Sequence, residues 1–100
     1  MKKYKIKIDK IILNEQFIIE SKNKELFIAN IIKGSVDFPI YNENKEEMHL
    51  GNIDVGDNIT IYGSMATGEK NIIIKKIKIK NKYIFSLESS EELETIDDFI

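Results

Sequence analysis

Lys recurs at every second position in two stretches of the chain: Lys3, Lys5 and Lys7 near the start, and Lys76, Lys78, Lys80 and Lys82 later on. In an extended strand alternate side chains share one face, so each stretch presents a row of ammonium groups. Such rows suit a polyanion. Phe38, Tyr41 and Tyr62 fall outside the obvious core parity, and aromatic faces are what unpaired bases stack on, at about 1–3 kcal/mol per base. The chemistry expected of these residues is therefore phosphate tracking plus base stacking, the requirements of a single-stranded nucleic-acid surface. Two Lys rows make one surface only if their strands lie close together. Lys on the solvent face of a strand also serves the plainer purpose of blunting sheet edges.

Other chemistries find less support. The chain has no Cys and a single His, His49, which leaves no disulfide, thiolate or multi-histidine metal site. Gly63-Ser64-Met65-Ala66-Thr67-Gly68 begins and ends in Gly, but no Lys-Ser/Thr follows, so it reads as a hairpin loop rather than a phosphate-binding loop. The acid pairs Glu46/Glu47 and Asp54/Asp57 have the type to hold a divalent cation, and equally the type to face water from loops. No catalytic residue, metal site or cofactor is assigned, and a non-enzymatic protein is expected.

The elements that must position the lysines read as β-strands. Tyr4 to Ile8 alternates apolar and charged; Ile11 to Ile19 continues extended with a bend at Asn14-Glu15. Phe17–Ser21 and Leu26–Ile32 flank a polar turn, as in a hairpin. Val36 to Tyr41 reads as a strand, placed at an edge or bulge by Pro39, which cannot donate to a ladder. Asn42 to Glu47 is a polar loop. A tight turn at Gly56-Asp57 leads into Ile59-Thr60-Ile61-Tyr62, closed by Gly63. The strand Ile72 to Lys80 changes parity at Lys75-Lys76, and a bulge there would return Ile72, Ile74, Ile77 and Ile79 to one face. Tyr83-Ile84-Phe85 is expected to form a last short strand. The fold class is all-β: a small five- to six-stranded barrel over residues 1–87, followed by a short segment, 88–100.

The run Val55-Gly56-Asp57-Asn58-Ile59-Thr60-Ile61-Tyr62-Gly63 resembles the start of the fourth strand of many OB-fold domains, and the hairpin after it fits the closure of such a barrel. Many OB-folds carry a helix before that strand. Here Asn42 to Asn52 is short and polar, so the helix is expected to be reduced or absent. The resemblance implies an OB-like barrel.

Charge is unevenly spread. The formal net charge is −2, yet residues 88–100 hold six acids and no Lys, while residues 1–87 set 15 Lys against 11 acids, a net of +4. A basic body with an acidic tail points toward nucleic acid. Ile, Lys and Asn supply 45 of the 100 residues and Arg is absent; all three have A/T-rich codons, so part of this composition reflects coding bias. The tail Glu91-Glu92-Leu93-Glu94-Thr95-Ile96-Asp97-Asp98-Phe99-Ile100 resembles the acidic tip of bacterial and phage single-stranded-DNA-binding proteins. That resemblance implies a role in replication, with Asp97, Asp98, Phe99 and Ile100 docking a protein partner. Ser89 with Glu92 fits a capping box, and Leu93, Ile96 and Ile100 fit a helical stripe, so a helix docked on the barrel is the alternative. A third use is competition, with the acids occupying the Lys surface.

The expectation is thus a single-stranded nucleic-acid-binding protein, DNA before RNA, of low sequence specificity. The alternative is an OB-like protein–protein interaction subunit of a larger complex without nucleic-acid contact, and a small viral or phage inhibitor of a host protein is a third reading. No membrane partner and an intracellular setting are expected; self-association into a homo-oligomer stays open.

Overall fold

The computed structural model describes residues 1–65, 68 and 70–83. Seven strands form one sheet system: β1 (Lys2–Leu13), β2 (Gln16–Ser21), β3 (Leu26–Ile32), β4 (Ser35–Val36), β5 (Ile40–Asn42), β6 (Asn58–Met65) and β7 (Ile72–Ile79). The 88–100 segment and Ile84-Phe85 lie outside the described residues. Tyr83, the one described residue of the expected last strand, belongs to no strand. No helix among the described residues is long and apolar enough to cross a membrane.

Five strands close into a barrel. β1, β2 and β3 form an antiparallel meander, β3 meets β7 in parallel, β7 pairs antiparallel with β6, and β6 returns antiparallel to β1. The order β1-β2-β3-β7-β6 is the Greek-key closure of an OB-like barrel. Among the described strands, closure leaves only β4 and β5 at edges. β4 forms a hairpin with β3 across Lys33 and Gly34, whose φ angles of 53° and 79° suit a two-residue turn. β5 lies parallel to the C-terminal half of β7. The single strand expected over Val36–Tyr41 is split in two. Pro39 lies between the pieces, and its carbonyl accepts a hydrogen bond from the Ile77 N–H at 3.1 Å.

The bend at Asn14-Glu15 is a hairpin turn, closed by the Asn14 side-chain oxygen accepting from the Gln16 N–H at 3.1 Å. The turn before β6 has φ of +94° at Gly56, where a side chain would be strained. Between β5 and β6 the only helical element is a single 3-10 turn at Leu50–Asn52, as the short polar segment predicts.

The core is the inward parity of the five barrel strands, anchored by Ile8, Phe17, Ile19, Phe27, Ile61 and Ile77. The bulge in β7 falls where the parity changes. Tyr62 pairs with Lys76 and Gly63 with Ile74, so Lys75 is the extra residue and Ile72, Ile74, Ile77 and Ile79 all point inward. Gly63, opposite the bulge, is required by space: a Cβ there would meet the Ile73 carbonyl oxygen at 2.5 Å. A second irregularity lies in β1 between Ile8 and Lys10. Each divides a strand between two neighbours. β1 pairs with β6 through residues 2–7 and mainly with β2 beyond them; β7 meets β3 through Ile72-Ile73 and β5 through Ile77–Ile79.

Candidate nucleic-acid interface

The middle strand of the candidate site is β6. Its outward residues Asn58, Thr60 and Tyr62 alternate with the buried Ile59 and Ile61. On one side Lys3 pairs with Tyr62, Lys5 with Thr60 and Lys7 with Asn58. On the other, Tyr62 pairs with Lys76 and Thr60 with Lys78, while Lys80 donates its backbone N–H to the Asn58 carbonyl at 3.2 Å. The two Lys rows therefore run along opposite sides of one strand. Two strand spacings set them about 10 Å apart, with an aromatic and polar trough between. Tyr41 on β5 pairs with Lys78 and extends the middle row to a fourth strand.

Two open hollows, of about 450 and 440 Å³, lie on this face. Lys3, Lys5, Lys7 and Lys80 line the first, Tyr41 and Lys76 line the second, and both share Tyr62, Lys78 and Glu43. The Lys76 ammonium sits 4.4 Å from the Tyr62 ring centroid. Such a cation–π contact contributes about 0.5–1 kcal/mol at an exposed site and orients the ring. Among the described residues none of Lys3, Lys5, Lys7, Lys76, Lys78 and Lys80 has a carboxylate partner, whereas Lys22 and Lys24 are paired to Asp9. Among the described residues these six cations have no ion pair to break before meeting a phosphate.

Glu43 is the acid among them. Its Oε1 accepts hydrogen bonds from the Asn81 N–H at 3.0 Å and the Tyr83 hydroxyl at 2.8 Å. These bonds, with weaker help from Lys80 and Lys78, hold its carboxyl below the usual carboxylate range, and the same contact pushes the Tyr83 phenol up. Glu43 thus fastens the segment after β7 to the wall of both hollows.

Two sequence-stretch assignments are corrected. Phe38 is buried, with 7% of its surface exposed and its ring 6.1 Å from that of Phe17. It packs into the barrel core rather than offering a face to a base, because the alternation runs unbroken through Pro39: Phe38 shares the inward parity of Ile40 and Asn42, while Asp37, Pro39 and Tyr41 face outward. Lys82 is not part of the row. Its ammonium donates to the Asn52 carbonyl at 2.8 Å and to Asp54 at 2.7 Å, and lies 3.2 Å from Asp57. The hydrogen bond to Asp54, followed by that to Asp57, raises its pKa despite some desolvation. Beyond β7 the chain has turned at Lys80-Asn81, so the alternation no longer applies. Asp54 and Asp57 therefore hold a lysine, and no group of three or more metal-ligating side chains occurs among the described residues. Asp97, Asp98, Phe99 and Ile100 lie outside the described residues.

Sequence reading missed Glu43, Asn58 and a second outer surface. Ile12 pairs with Ile18, Ile18 with Ile28, and Ile28 with Ile73, a row of outward isoleucines across β1, β2, β3 and β7. Ile73 is 37% exposed and the other three are half-buried. The signal was present in the doublets Ile11-Ile12, Ile18-Ile19, Phe27-Ile28 and Ile72-Ile73, which put apolar residues on both parities.

Compared with protein-family models, curated proteins and solved structures, the chain matches none.

Proposed function

We propose that the barrel is a non-enzymatic binder of single-stranded nucleic acid, DNA before RNA, with the strand running between the two Lys rows of β1 and β7. The observation that carries this reading is the register of β6, which sets Lys3, Tyr62 and Lys76 in one row and Lys5, Thr60 and Lys78 in the next. Phosphates would meet the ammonium groups, and bases would stack on Tyr62 and Tyr41. Arg, the commonest reader of guanine, is absent, which supports low sequence specificity. Salt-titrated binding to a fluorescent oligo-dT tests the proposal. Four phosphate contacts would give a log–log slope of about −3 for a single strand. No binding at about 50 mM salt, where such contacts are strong, would remove it.

The acidic residues 88–100 have two uses in this reading, recruitment of a protein partner through Asp97, Asp98, Phe99 and Ile100, or occupation of the Lys face. Occupation is favoured by charge complementarity, six acids and no Lys in residues 88–100 against the two Lys rows of the barrel. A protein-interaction subunit without nucleic-acid contact is the second reading, favoured by the row Ile12, Ile18, Ile28 and Ile73. Self-association and capture of a partner by this row are read out by sedimentation of wild type against an Ile28→Lys variant.

A further inference from the structure

Glu43 is out of place in a groove for phosphates. It is the one acid among the described residues lining either hollow, and it stands in the wall of both. It forms no ion pair with Lys78 or Lys80. Its Oε1 is fully used, accepting from the Asn81 N–H at 3.0 Å and the Tyr83 hydroxyl at 2.8 Å. Its Oε2 has no partner among the described residues. The carboxyl is therefore oriented by two donors, ionised at neutral pH, and left with one oxygen that has no donor among the described residues, on a side chain that lines both hollows.

A fixed carboxylate repels a phosphate and welcomes a hydrogen-bond donor. A strand lying between the Lys rows must therefore turn a base edge, not its backbone, toward Glu43. Tyr62 shares both hollows with Glu43, so a base stacked on Tyr62 has the carboxylate in the same enclosure. The four bases differ at that edge. Cytosine and adenine offer an exocyclic amino group, and guanine an imino N–H beside an amino group. Thymine and uracil offer only an imino N–H flanked by two carbonyl oxygens, whose lone pairs face the carboxylate. Glu accepting from the cytosine amino group is an established pairing chemistry in base recognition.

We propose that Glu43 is a specificity-determining residue that biases the groove toward amino-bearing bases and against thymine and uracil. The inference rests on the proposed single-strand binding and adds a base preference to it. The preference is modest, because one carboxylate oxygen meets one base in the strand.

The test is fluorescence anisotropy of the full chain with labelled 15-nucleotide oligo-dC and oligo-dT at neutral pH and fixed salt. The readout is the ratio of their affinities in each variant, which cancels effects common to both proteins, such as the oligonucleotides' own stacking. Glu43→Gln keeps an oxygen for Asn81 and Tyr83 but loses the charge and one acceptor. Glu20→Gln removes the same charge from β2, away from the groove. The wild type and Glu20→Gln are expected to share one dC:dT ratio, and Glu43→Gln to lower it by about five- to tenfold, largely by gaining affinity for oligo-dT. An unchanged ratio in Glu43→Gln, or an equal loss in Glu20→Gln, overturns the inference while leaving single-strand binding intact. Failure of the wild type to bind either oligonucleotide overturns single-strand binding itself, and the base preference with it.

Discussion

The outer surface of the barrel has a cationic side and an aliphatic side, and the same two strands contribute to both. β1 shows Lys3, Lys5 and Lys7 beside β6, then Ile12 beside β2. β7 runs the other way, with Ile73 beside Ser64 and β3 first, then Lys76 and Lys78 beside β6. On each strand the change of surface coincides with a register irregularity, between Ile8 and Lys10 in β1 and at Lys75 in β7. A bulge bends a strand and increases its twist, which is how one strand serves two sheet neighbours around a closed barrel. The same device keeps each surface chemically uniform. The buried residues of both strands are isoleucines, Ile6 and Ile8 in β1 and Ile72, Ile74, Ile77 and Ile79 in β7, so the two surfaces differ through the outward residues alone.

The comparison is most directly broken by charge reversal. The pair Lys5→Glu and Lys78→Glu is expected to weaken oligo-dT binding by about a hundredfold at low salt, since each change removes one phosphate contact and adds one repulsion. Circular dichroism should report an unchanged fold, because both side chains are exposed and have no ion-pair partner among the described residues. Ile28→Lys on the aliphatic side is expected to leave oligonucleotide affinity within about twofold while removing any self-association read by sedimentation. A loss of oligonucleotide binding in Ile28→Lys would merge the two sides into one function.

Gly63→Ala tests the bulge that separates them. A Cβ 2.5 Å from the Ile73 carbonyl oxygen forces β6 and β7 apart, and overpacking of this kind costs about 1–3 kcal/mol. For a domain of this size that lowers the melting temperature by several degrees, about 4–8 °C per kcal/mol. A melting temperature equal to wild type would mean that the strands give way freely at the bulge. Deleting residues 88–100 is expected to tighten oligo-dT binding a fewfold at low salt if the acids occupy the cationic side. An unchanged affinity leaves them to partner recruitment.

The smallest effect is in pH. Glu43 is held below its usual pKa, so its contribution is fully present above the ordinary carboxylate range and is lost as pH falls through the lowered folded value. NMR of the Asn81 amide should show the tether releasing only below pH ~4.5, the usual carboxylate value. Release near neutral pH would mean that the carboxyl is not held as described. Lys82 has the opposite sign. Its folded pKa is raised, so the Lys82 contribution is present below the usual lysine value and is lost only as pH rises through the raised folded value.

Local sequence was enough wherever period-two alternation applied. It placed Ile59 and Ile61 inward, Thr60 and Tyr62 outward, and required the bulge at Lys75-Lys76 to reunite Ile72, Ile74, Ile77 and Ile79. It also marked the turns at Asn14-Glu15 and Gly56-Asp57, where side-chain bonding or a positive φ is written in the residue type. It misled at two residues. Phe38 was set outside the core although it shares the parity of the buried Ile40, and Lys82, beyond the turn at Lys80-Asn81, was counted with a row it has left.

What the sequence determined by itself is the composition of each strand's two faces, because side-chain direction in a strand is a local property of the backbone. What only the tertiary structure decided is adjacency. That Lys3–Lys7 and Lys76–Lys80 border the same strand, that Glu43 reaches both hollows, and that four isoleucines from four strands form one row all depend on barrel closure. Closure is set by which strands pair over long sequence separations, through burial shared by the whole core, and no local pattern specifies that.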